Sequence, residues 1–162
     1  MFIRTAFTTL GVALIAVAAA AQQTRVNVTI ENMAPSKGTF QTPVWIGFHN
    51  GTFDTYDGGT LASELPIPGS VAIERLAEDG ATGPLSNDFT AFGAGSVQAT
   101  LAGPNGPIAP GDRSTRAFLL EASSPLDRYF SYASMVIPSN DAFVANGNPL
   151  AHPIFDNQGN FI

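Results

Sequence analysis

Chemistry in this chain has to come from two histidines, His49 and His152, and from thirteen carboxylates, because there is no cysteine. That absence removes thiol nucleophiles, disulfides and Cys-ligated metal sites. A histidine-based zinc site needs three or four protein ligands. His49 lies close to Asp54 and Asp57 in sequence and would be one such ligand; the plainer reading is a half-buried strand histidine. His152 precedes Pro153 and reads as an exposed loop residue. Serine hydrolysis has no Gly-x-Ser-x-Gly turn to start from, since the run Gly93-Ala94-Gly95-Ser96-Val97 has the wrong spacing. The same glycines lack the third glycine and the Lys-Ser/Thr pair of a phosphate loop. Glu74 and Glu78 stand at i,i+4, where they form a solvated helix face softened by Arg75. A glycan-active enzyme drawing on Asp54, Asp57 and Glu74 remains as an alternative, although such carboxylates normally face each other across a cleft.

Hard-cation binding suits this composition better. Calcium takes six to eight oxygen ligands from carboxylates, amides, carbonyls and water. The candidate loops are residues 50–59 and 139–148. Asp141, with Asn140 beside it, is the sharpest candidate ligand. The competing reading has both side chains capping their own loop through bonds to backbone amides.

These residues need a scaffold. The chain has 162 residues, 44% of them hydrophobic and 12% charged, with a formal net charge of −6. That balance suits one folded domain and not a disordered tail. No basic stripe exists to hold a nucleic-acid backbone. Residues 1–21 combine Arg4, an apolar run from Leu10 and the small-x-small pair Ala19 and Ala21, which reads as a secretory leader cleaved after Ala21. Residues 22–162 are then one exported domain, with no further apolar stretch long enough for a transmembrane span.

Along that domain, residues 25–31 alternate Val26, Val28 and Ile30 with polar neighbours and predict a strand with one wet face. Residues 43–49 carry large apolar groups on both faces and predict a central strand. Residues 71–79 predict a short helix, capped by Ser70, stopping at Gly80 and contacting the core through Val71, Ile73, Leu76 and Ala77. A second helical turn is expected over 84–92 and a weak strand over 97–101. The Pro/Gly loop 103–111 precedes a strand at 116–122, and the strongest strand spans 128–138, ended by Pro138. Residues 139–162 read as loop. Together these elements predict an antiparallel β-sandwich with one or two short helices.

The stretch Ser134–Pro149, SMVIPSNDAFVANGNP, resembles the strand-and-loop signature of the spondin N-terminal domain family in its bacterial secreted form. Residues 45–54, WIGFHNGTFD, resemble that family's early strand and loop. Residues 74–80, ERLAEDG, resemble its short helix, and Pro110-Gly111 its turn into a later strand. The resemblance covers roughly residues 24–160. It implies a C2-like sandwich, adhesive and non-catalytic, with a calcium site to which the Asp after Pro-Ser contributes; that position is Asp141 here. The family's other acidic ligands come from a Trp-Asp-Ala-Gly-Thr segment, which this sequence lacks, so calcium would be held more weakly and the sandwich is expected to lack its last strand.

The expectation is therefore a secreted, non-enzymatic binding module that meets an extracellular-matrix, cell-surface or glycan ligand with calcium assistance at Asp141 and Asn140. The alternatives are the carboxylate-dependent glycan-active enzyme and a purely structural module.

Overall fold

The computed structural model describes residues 23–55 and 71–162. The expected leader, the Ser70 cap and Asp57 lie outside the described residues. The elements in chain order are β1 (Gln23–Glu31), β2 (Phe40–Gln41), β3 (Val44–His49), α1 (Val71–Asp79), α2 (Gly83–Phe92), β4 (Val97–Leu101), β5 (Arg113–Glu121), β6 (Tyr129–Ile137) and β7 (Phe143–Ala145). All strand pairs are antiparallel. The result is the predicted β-sandwich with two short helices, with its two sheets unequal in width.

β3 organises the larger sheet. All six of its residues are buried, as expected of a strand with apolar groups on both faces. β4 pairs with one edge of β3 and β6 with the other, and β7 lines the far side of β6. β2 continues along the β3 side of β6. Its Gln41 faces Val136, whereas Trp45 faces Ala133, so β3 has one more residue than β6 across this interval. That is a β-bulge, and it houses Pro43, which has no N–H to give a regular ladder. Thr42 and Ser134 clamp it: Met135 N–H donates to Thr42 Oγ1 at 3.0 Å, and Ser134 Oγ donates to the Thr42 carbonyl at 2.9 Å.

Alternation along β3 feeds two cores. Val44, Ile46 and Phe48 pack with Val26, Phe118 and Leu120 beneath the β1–β5 ribbon. Trp45 points the opposite way, among Phe53, Leu76, Leu85 and Phe89 beneath the helices. α1 offers Ala72, Ile73, Leu76 and Ala77 to this second core. Val71 does not join them; at the first helical position it is 66% exposed. α1 stops at Gly80, which adopts φ 65° while its N–H bonds the Leu76 carbonyl. The left-handed conformation costs a glycine little. Trp45 Nε1 donates to Gln98 Oε1 at 2.8 Å, and the Gln98 amide reaches the Ser86 carbonyl at 3.0 Å, tying β4 to α2.

Most boundaries fall within two residues of the sequence expectation; the larger departures are the start of β5 and the two unexpected strands β2 and β7. β5 starts at Arg113 instead of residue 116, because β1 pairs with it along all nine residues and carries it past its apolar stretch. β2 and β7 are short strands held by pairing with β6, and β7 lies inside the region expected to be loop.

Gly47 sits on the Trp45 face of β3. A Cβ there would stand 2.7 Å from Trp45 Cη2 and 2.9 Å from Phe89 Cε2. Gly47→Ala is expected to cost about 1–3 kcal/mol through overpacking, read as a lower urea midpoint with an unchanged slope. A midpoint equal to that of the parent protein would show that the Trp45 ring yields freely.

Candidate functional site

The most concentrated polar chemistry is inside the protein. His49 ends β3 on the face away from the β1–β5 ribbon and is fully buried, more so than its sequence context suggests. Its Nδ1 accepts the Gly51 N–H at 3.0 Å, and its Nε2 lies 2.8 Å from Ser131 Oγ on β6. The Gly51 bond assigns the tautomer: Nδ1 is an acceptor, so Nε2 carries the proton and donates to Ser131. Ser131 Oγ accepts a second bond from Asn146 Nδ2 at 2.9 Å. Asn146 in turn accepts the Tyr132 N–H through Oδ1 at 2.9 Å, and its carbonyl accepts Thr55 Oγ1 at 2.6 Å.

A histidine and a serine within hydrogen-bond reach resemble a catalytic pair, but the polarity here is reversed. A general base must accept the serine proton, and a third group must accept the proton on its far nitrogen. Here the histidine donates a hydrogen bond to the serine and accepts one from the backbone. The network joins β3, β6, the turn at 50–55 and the segment after β7, and its bonds tie those loops together. Burial pushes the His49 imidazole down to about 4, because the charged form would lose its hydration.

The expected carboxylates occupy different environments. Asp54 is fully buried, while Glu74, Glu78 and Asp79 lie on the exposed face of α1. Arg75 pairs with Asp79 at 3.0 Å on that face. Asp57, the third member of the glycan-enzyme set, is outside the described residues. Among the described residues, no three His, Asp or Glu side chains converge as a metal cluster. Asp127, not singled out from sequence, is buried and accepts the Glu121 N–H at 2.7 Å through one oxygen; burial raises its carboxyl.

Asp141 and Asn140 are both exposed in the turn between β6 and β7. Ser139 caps that turn, with Oγ donating to the Val136 carbonyl at 2.5 Å and accepting the Ala142 N–H at 3.2 Å. The capping role weighed for Asn140 and Asp141 thus belongs to their neighbour. Asp141 borders an open concavity of about 520 Å³ with Tyr132, Phe143 and Val144. Tyr132 and Val144 also border a second hollow of about 380 Å³, floored by Val44 and Phe130 and walled by Ile30 and Met33. The two hollows adjoin on the ribbon side of the larger sheet. His152, exposed as expected, lies against this face, its ring 5.8 Å from Tyr132 and 6.5 Å from Phe130. The alternation of β6 places Phe130 and Tyr132 on one face; it carries no signal that the facing ribbon is too narrow to cover them.

A third hollow of about 470 Å³ lies beside Arg128, whose guanidinium is held by the Asp156 carbonyl at 3.1 Å and Asn157 Oδ1 at 2.6 Å. Asp156 folds the loop around itself, accepting the Gln158 and Asn160 N–H groups at 2.8 Å each. The Asn160 side-chain bond leads the causes that lower its carboxyl.

No protein-family profile, curated protein or solved structure matches the chain.

His49 makes stability depend on pH. Its value is lower in the fold than in the unfolded chain, so the unfolded state binds the extra proton. The stabilisation is complete above the unfolded value of 6.5 and is lost as pH falls toward about 4. The loss amounts to roughly 3 kcal/mol over that window. Denaturant titrations between pH 7 and 4.5 should show the decline beginning near 6.5. A flat profile would contradict the neutral, buried assignment.

Proposed function

We propose that the chain is an exported, non-enzymatic binding module of the spondin type, which meets a matrix, cell-surface or glycan ligand and uses calcium at the Asp141 turn. The observation that carries this reading is the open aromatic face of β6, where Phe130 and Tyr132 are half-buried beside the exposed Asp141. Aromatic side chains with a polar tip are favoured at recognition surfaces. The buried polar groups also support it, since His49 and Ser131 are committed to holding loops together. The stretches of sequence that resemble spondin-domain motifs, Ser134–Pro149 among them, are in keeping with the same class.

Calcium at Asp141 would draw one carboxylate from this turn, with Asn140, backbone carbonyls and water completing the shell. Sites poor in charged ligands bind at about 10⁻⁴–10⁻³ M. With 10 mM calcium and a Kd of about 1 mM, linkage adds about 1.4 kcal/mol, or roughly 3–5 °C in Tm for a domain of this size. Melts in calcium and in chelator should differ by that amount, and Asp141→Ala should erase the difference. Identical melts would remove calcium from the account. The binding reading itself predicts retention on immobilised matrix or glycan preparations without product formation. Turnover on a glycan panel that disappears in Glu74→Gln would replace it with the enzymatic alternative.

A further inference from the structure

The adjoining hollows lie along an unfinished part of the sandwich. β1 and β5 form a ribbon of two strands, set against a larger sheet in which β4, β3 and β6 lie side by side and β7 lines the far side of β6. Among the described residues, the backbone bonds of β1 run to β5; the opposite edge of β1 pairs with no strand. The hollow walled by Ile30 lies on that open side: β1, β2, β3, β6 and β7 border it, and β5 does not. Among the described residues, a strand edge without a strand partner therefore stands above an apolar floor made by Val44, Phe130, Tyr132 and Val144.

We propose that this slot receives an extended peptide strand from a basic partner, which pairs with the open edge of β1 and lays alternate apolar side chains on Phe130 and Tyr132. The inference rests on the binding-module reading and names the chemistry of the partner. Only an extended chain meets both requirements of the slot: N–H and C=O groups for the β1 edge, and side chains of period two for the floor. The charge follows from the rim. Glu31 and Asp141 are the charged residues bordering the two hollows, and both are acidic. Arg113, 3.5 Å from Glu31, offsets part of that carboxylate's charge, so the acidic character of the rim comes chiefly from Asp141. A second copy of this chain fits poorly. Its β1 would arrive attached to its own larger sheet, which would have to share the space already filled by β6 and β7.

The test uses the full chain and three labelled, capped nonapeptides. The first is the basic alternating sequence Lys-Val-Thr-Val-Lys-Val-Thr-Val-Lys. The second replaces each Lys by Glu. The third is the basic peptide with alternate backbone nitrogens methylated on its pairing edge. The basic peptide should bind at low salt about tenfold or more tightly than the acidic one, and methylation should abolish binding. Hydrogen exchange should slow at β1 amides when the basic peptide is present. Tyr132→Asp should weaken binding, and Glu31→Lys should narrow the difference between the basic and acidic peptides. Equal binding of the methylated peptide, or unchanged exchange along β1, would overturn the proposal. So would concentration-dependent self-association that protects β1 without peptide. If the peptides fail while retention on matrix or glycan persists, the strand assignment falls alone; if both fail, the binding-module reading falls with it.

Discussion

The architecture depends on the burial of β3 on both faces. A strand of six buried residues, with Trp45 and Phe48 pointing in opposite directions, has to be covered twice. The two covers are built differently. Helices α1 and α2 close over Trp45, and Gln98 ties the Trp45 indole and the α2 backbone together. The β1–β5 ribbon closes over Phe48 and ends there. Among the described residues, its two-strand width protects β3 and leaves Phe130 and Tyr132 on the β6 side only partly covered. The accessible aromatic surface is thus a consequence of how the core is closed.

The buried polar network has the complementary role. A neutral histidine, a serine and an asparagine deep in the protein would be costly if unpaired. Here each finds partners, and the bonds run between segments far apart in sequence: the turn after β3, the middle of β6 and the chain beyond β7. Rigidity in these loops holds β7, and with it the Asp141 turn, beside the open face. The His49 and Ser131 side chains are engaged in positioning these loops, while Asp141 stays exposed beside the partly covered Tyr132.

Much of the fold was legible because local periodicity and tertiary demand agree. The two-sided apolar run of β3, the alternation of β1 and β6 and the Gly80 stop of α1 all correspond to elements seen in the structure. Where they differ, a distant partner decides. Polar Arg113–Thr115 is strand because β1 lies opposite, with Thr29 and Thr115 hydroxyls 2.9 Å apart. β7 is too short for a periodic signal and is held by pairing with β6. The depth of His49 depends on residues near 131 and 146, which no local pattern connects to it. Asp141 was legible as an exposed loop carboxylate; the trough beside it was not, because it arises from a mismatch in sheet width, which no single segment encodes.

The most direct test of this account is residue-resolved hydrogen exchange along β1 in the unliganded protein. An edge strand bonded on one side should show a period of two, with amides directed at β5 protected and those directed at the open side exchanging at close to the rate of free backbone. Uniform protection from Gln23 to Glu31 would mean that the second edge is already filled, and the open face with its proposed role would not exist.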